Sequence, residues 1–180
     1  MIRILSLTAL AVLLAGPMAR AQATADSAPV NDGLFAEVAA ISGLAEVTLS
    51  EIGVQRARDP ELKKFSQQMI ADHTRMNGEL TNLAAQKRIA LPRTLDPRAQ
   101  FCWQGLAGLS GEEFDRCYAK AQLVAHMEAA GTFEAESERG MDPEMKALAS
   151  KALPHIKEHL KMIKPIAMKY EKSEGETEKR

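Results

Sequence analysis

Apolar residues recur along most of the chain at the three-and-four spacing that gives a helix one buried stripe. Phe35, Val38, Ile41, Ala45, Thr48, Leu49 and Ile52 form such a stripe and predict a first helix from about Leu34 to Arg56. Asp59-Pro60-Glu61 reads as an N-cap with proline at the first helical position. It opens a second helix to about Lys87, with Leu62, Phe65, Met69, Met76, Leu80 and Leu83 on one face. The tight link at Arg58-Asp59 makes these two an antiparallel hairpin. Residues 88–110 form a linker in which Asp96-Pro97 opens a short helix carrying Phe101, Trp103, Leu106 and Leu109. A third helix begins near Ser110, where Glu113 completes a capping box, and ends at Gly140. It carries Phe114, Tyr118, Leu123, His126, Ala130 and Phe133. Asp142-Pro143-Glu144 opens a fourth, with the stripe Met145, Leu148, Ala152, His155, His159, Met162 and Ile166. Pro154 and Pro165 each remove a backbone donor, which predicts a kink near 150–154 and a kink or an end near 161–165.

The second and fourth helices open alike. Asp59-Pro-Glu-Leu-Lys matches Asp142-Pro-Glu-Met-Lys at a spacing of 83 residues. Two similar hairpins joined by a long linker with a short helix predict an all-α fold, a four-helix bundle over residues 33–170. Glu171 to Arg180 is a charged tail expected to be disordered. Residues 1–21 carry a leader pattern: Arg3, the apolar run Ile4 to Ala15, and the A-x-A site Ala19-Arg20-Ala21. The run is too short for the roughly twenty residues that span a bilayer core, so cleavage after Ala21 and no stable membrane insertion are expected. Residues 22–32 then serve as a flexible lead-in, and the mature protein is periplasmic or secreted.

Composition agrees with helix: hydrophobic content is 46% but aromatics only 4%. With 23 basic and 24 acidic residues the net charge is −1, which implies no nucleic-acid or anionic-membrane partner. The basic stretch from Lys157 to Lys172 is interleaved with glutamates and reads as a solvated face.

All four histidines of the chain, His73, His126, His155 and His159, fall on or near these stripes. Counted at 1.5 Å per residue, they and Glu46 lie about 20 Å from the hairpin links, at the middle of the helices. Glu46, Asp72, His73, His126, His155 and His159 are therefore candidate ligands at one level of the bundle. Imidazoles with one carboxylate suit zinc, copper or iron, and Met69, Met76 and Met162 one turn away would favour Cu(I). Two other readings use the same residues. A metal-free His/acid network could fix helix register, or several imidazoles charging together could act as a pH switch. No Glu-x-x-His occurs, which argues against ferritin-type di-iron chemistry. No nucleophile elbow, phosphate loop or H-E-x-x-H occurs either, so the chain does not read as an enzyme. Cys102 and Cys117, an even pair in an exported chain, are expected to form a disulfide, with a redox-active or metal-binding pair as the alternative. By chain entropy a loop of that length would contribute about 3 kcal/mol.

With these residues identified, the chain resembles the bacterial domain-of-unknown-function 4142 family over about residues 33–167. The resemblance rests on Ala45-Glu46-Val47, Asp72-His73, Gly111 with Phe114-Asp115-Arg116 and Tyr118, His126, Phe133, Leu153-Pro154 and His159-Leu160. Two features depart from it: Ala125 precedes His126 where the family usually has an acid, and His155 lies outside its pattern. It implies an exported, ferritin-like four-helix bundle and no established activity, and it singles out Glu46, His73, His126 and His159, one per helix. The function expected is metal binding with an envelope or stress role. The alternatives are a metal-free structural or protein-interaction module and, third, an oxidoreductase using the metal.

Overall fold

The computed structural model describes the backbone of residues 28–177 and side chains through Glu171. These residues form five helices: α1 (Asp32–Arg56), α2 (Pro60–Gln86), α3 (Pro97–Ala107), α4 (Gly111–Arg139) and α5 (Pro143–Thr177). The leader and its cleavage site lie outside the described residues. The caps follow local chemistry. Asn31 accepts from the Leu34 N–H, Asp59 from Glu61, Asp96 from Ala99 and Asp142 from Glu144 and Met145, and proline opens α2, α3 and α5. The capping box expected at Ser110 is not formed, because the serine side chain makes no cap bond. Gly111 follows it at φ +65°, a conformation that suits glycine. Pro154 and Pro165 both lie inside α5, so the helix does not end near 161–165 but continues to Thr177, past the start of the expected tail. Lys and Glu favour helix there, against Ser173 and Gly175.

The long helices pack in a ring. α1 lies along α2 and α4 along α5, and the two hairpins meet through α1 with α4 and α2 with α5. The hairpins clasp each other reciprocally. Asp115 of α4 accepts the Arg58 and Asp59 N–H groups at the first link, at 2.9 and 3.0 Å. Asp32 of α1 accepts the Met141 and Asp142 N–H groups at the second, at 2.8 and 3.0 Å. A second clasp repeats the relation: Tyr170 donates to Asp59 at 3.0 Å, and Lys87 to Asp142 at 2.6 Å. Asp32 and Asp115, Arg58 and Met141, Asp59 and Asp142, and Lys87 and Tyr170 each stand 83 positions apart. The short repeat in the sequence thus extends to the contacts that hold the hairpins together.

Apolar clusters fill both ends. At one end Leu49, Leu62, Phe65, Met69, Phe114 and Tyr118 pack with Ile163 and Tyr170. At the other Phe35, Ala39 and Leu80 meet Met145 and Ala149. Gly53 lets α1 approach closely, since a Cβ there would meet Ser66 Oγ and the Tyr118 ring. By length and composition α1 could cross a membrane, but here it packs as a bundle helix and carries the buried Glu46.

Candidate metal centre

The buried stripes of α2, α4 and α5 bring His73, His126 and His159 together between the apolar clusters. Their exposures are 5%, 1% and 1%. Ring centroids lie 5.4 to 5.7 Å apart, and each ring offers one nitrogen such that the three lie within 4.8 Å of one another. Phe65 closes one side, its ring 5.9 Å from His126.

Hydrogen bonding fixes two of the tautomers. His126 Nδ1 is 2.9 Å from the Gln122 carbonyl oxygen, which can only accept, so Nδ1 carries the proton. His159 Nε2 is 3.0 Å from Asp72 Oδ2 and donates in the same way. In the neutral rings the lone pairs are therefore on His126 Nε2 and His159 Nδ1. Those two atoms and His73 Nε2 are buried with no hydrogen-bond partner among the described residues. Burial, helped by the neighbouring imidazoles, pushes the His73 pKa down to about 3, so its ring is neutral. His159 is also shifted down, by burial first, although its bond to Asp72 opposes the shift. Burial alone would raise the Asp72 pKa, but the bond from His159 and the charge of Arg75 leave it lowered, so it stays a carboxylate. His126 and His159 thus each have a backbone carbonyl or carboxylate behind the ring, the usual outer support of a metal-bound imidazole; His73 has none among the described residues.

Glu46, also a candidate, is buried on α1 with Oε1 3.6 Å from His126 Nδ1, beyond hydrogen-bond reach. Burial pushes its pKa up, and Oε2 has no partner among the described residues. The three-histidine group does not include it. His155 corrects the expected phase of α5. The buried stripe runs through Met145, Ala149, Ala152, Ile156, His159 and Ile163, one residue later than expected at three positions. His155 falls outside this stripe and is exposed. The methionines are core filler: Met69 is fully buried in one apolar cluster, and Met76 and Met162 pack at cluster edges. Cys102 and Cys117 are free thiols, so the disulfide expected between α3 and α4 is not formed. Both are only partly buried and pack against the first apolar cluster.

Gln122 and Glu136, both buried, went unnoticed in the sequence. Gln122 precedes His126 by one turn, and its carbonyl sets the ring. A four-residue offset on the same stripe was the available signal. Glu136 is 1% exposed, its carboxyl buried beside Asp32 and Asp142.

The model of the domain of unknown function DUF4142 matches residues 16–166. The chain belongs to the DUF4142 family. No curated protein matches it in sequence. Among solved structures it is similar to a DUF305 fragment from Deinococcus radiodurans, with a TM-score of 0.68 at 10% identity over 79% of this chain and 99% of that one. CopM in its Cu(II)-bound form is also similar, with a TM-score of 0.67 at 21% identity over 79% and 99%. A DUF305 protein from Streptomyces coelicolor gives 0.65 at 16% identity over 77% and 91%. At these identities the likeness is one of fold, and this DUF4142 chain shares an all-helical architecture with the DUF305 proteins.

Proposed function

We propose that this protein binds one transition-metal ion, copper ahead of zinc or iron, through His73, His126 and His159. The observation that carries the reading is that three buried histidines each bring a ring nitrogen within 4.8 Å of the other two, and each keeps one buried nitrogen with no hydrogen-bond partner among the described residues. Left to themselves, three lone pairs facing one another in an apolar layer are costly. A cation satisfies all three at once. Neutral imidazoles suit copper, zinc and iron alike, and the fold's likeness to CopM, solved with Cu(II), favours copper among them. Nitrogen ligands at the usual metal distance of about 2.0–2.1 Å lie roughly 3.4 Å apart, so the rings close inward slightly on binding. Asp72 is an orienting group for His159, and Glu46 stands behind His126. Two hairpins meeting as these do fit the ferritin-like bundle that the family resemblance implies. The leader pattern supports export and an envelope or stress role. The rival is a metal-free structural or interaction module in which the same residues only set packing.

Elemental analysis and titration with copper and zinc test the reading, with a melting curve in parallel. About one ion per chain is expected, lost in the His73→Ala, His159→Ala double variant. A ligand held only by the folded state must raise the melting temperature. No bound metal and no shift would overturn the reading and leave the histidines as a packing network.

A further inference from the structure

The stripe of α1 holds a second departure from expectation. Val38, Ile41 and Ala45 do not enter the core. They wall a cavity of about 500 Å³ between α1 and α4, partly roofed by α3. Val38 and Val124, both in its walls, are 43% and 41% exposed, a high value for valines on otherwise well-packed helices. The cavity is long. Its α4 wall runs from Cys117 to Phe133, about 24 Å at the helical rise. Its ends are fixed by α1: Ser50 meets Tyr118 at one, and Phe35 packs edge-on against Phe133 at the other.

Charge around this cavity is unbalanced. Arg98 and Glu128 pair with each other at 2.8 Å across its mouth. Asp96 is committed to the N-cap of α3. Glu46 is buried at the floor and lies against His126, 3.6 Å from its Nδ1. Lys120 remains, exposed, with no ion-pair partner among the described residues, near the Cys117 end. We infer that the cavity between α1 and α4 binds an amphiphile with one alkyl chain and an anionic head. The chain lies along Val38, Ile41 and Val124, and the head meets Lys120. The volume falls within the usual range of small-molecule sites, about 300–1,000 Å³, and an elongated apolar slot with one cation near an end matches a fatty carboxylate better than a compact or cationic ligand. α3 is the natural gate, because it buries only Leu106 and is tied down across the mouth by the exposed Arg98–Glu128 pair.

This site is independent of the histidines, and its test is run without added metal. Dodecanoate, dodecan-1-ol and dodecylammonium are titrated, below their micellar concentrations, into the purified protein by calorimetry. Fluorescence of Trp103, the one tryptophan, provides a second readout on α3. Dodecanoate is expected to bind one per chain, with dodecylammonium the weakest of the three. Lys120→Glu should weaken dodecanoate about fivefold or more and leave dodecan-1-ol unchanged, the size expected for reversing one exposed charge contact. Val124→Asp, on the exposed wall and so harmless to folding, should weaken all three. Equal binding of the three probes, a preference for the ammonium, indifference to Lys120→Glu, or no binding would each overturn the inference.

Discussion

Replacing His73 by leucine separates the metal reading from the packing reading by sign. Leucine has a similar volume and no polar atom. In the metal-free protein the substitution removes a buried Nε2 that has no partner, and an unsatisfied buried polar group costs about 1–3 kcal/mol. It also removes a ring whose pKa is held near 3 and which must therefore stay neutral on folding. The metal-free variant should thus be more stable than the parent. For a protein of this size each kcal/mol moves the melting temperature by about 2–4 °C, so a rise of about 5 °C is expected. Metal reverses the order. At a free concentration one hundred times the dissociation constant, a bound ion adds about 2.7 kcal/mol to the parent, or about 5–10 °C. The variant, with two ligands left, should gain little. The assay is a pair of melting curves, each with chelator and with copper. If copper raises the variant as much as the parent, His73 is not a ligand. If the variant with chelator melts far below the parent, His73 makes a stabilising contact and the unsatisfied-nitrogen account fails.

Stability should be bell-shaped in pH, with Glu136 contributing to the alkaline limb and His73 to the acid one. Burial first, then the neighbouring Asp32 and Asp142, raise the Glu136 pKa to about 7 from its ordinary 4.5. Its folded form binds more protons in that window, so its contribution is full below 4.5 and is lost as pH rises through 7. Glu136→Gln should flatten this alkaline limb in urea titrations, by on the order of 1–3 kcal/mol. His73, lowered to about 3, acts oppositely: its contribution is present above its ordinary 6.5 and is lost as pH falls toward 3, so His73→Leu should flatten the acid limb. Asp72→Asn keeps a group beside His159 Nε2 but removes the charge, and a competition titration should show metal affinity reduced about 10–100-fold at unchanged stoichiometry. Gly53→Ala places a Cβ 2.6 Å from Tyr118 Cζ and against Ser66 Oγ. Overpacking of that kind should lower the urea midpoint by about 1–3 kcal/mol of stability, and an unchanged midpoint would mean that α1 moves aside freely.

The sequence foretold most of the helices because their signals are local. Asp-Pro caps and the three-and-four spacing need only neighbouring residues, and α2, α4 and α5 begin within a residue or two of where those signals stand. The level of the site was legible for the same reason: distance along a helix is counted from its link. Phase was less legible. In α5 both Leu148 and Ala149 are apolar, as are Leu153 with Ala152 and Met162 with Ile163. Only packing against α4 decides which of each pair faces inward, and the decision turned His155 out. α1 shows the same limit in another form, since an apolar stripe does not say whether its partner is a helix or a cavity. The cysteine spacing could not report on sulfur geometry. The outer support of the histidines was half visible: Asp72 adjoins His73 in sequence, yet it serves His159 on another helix.

The reciprocal clasps have a topological consequence. Asp115 grips the link of the first hairpin and Asp32 the link of the second. Nothing in either grip depends on the two hairpins belonging to one chain. The connection between them, residues 88–110, is the only part of the fold that does. A first hairpin from one copy and a second from another present the same four N–H groups to the same two carboxylates. Two chains that exchange hairpins would therefore keep every clasp and every histidine contact, at the expense only of opening the connection. The length and docking of that connection, with α3 in it, set the balance between the closed monomer and an exchanged pair. Shortening it should favour exchange, and a three-histidine site would then draw its ligands from two chains.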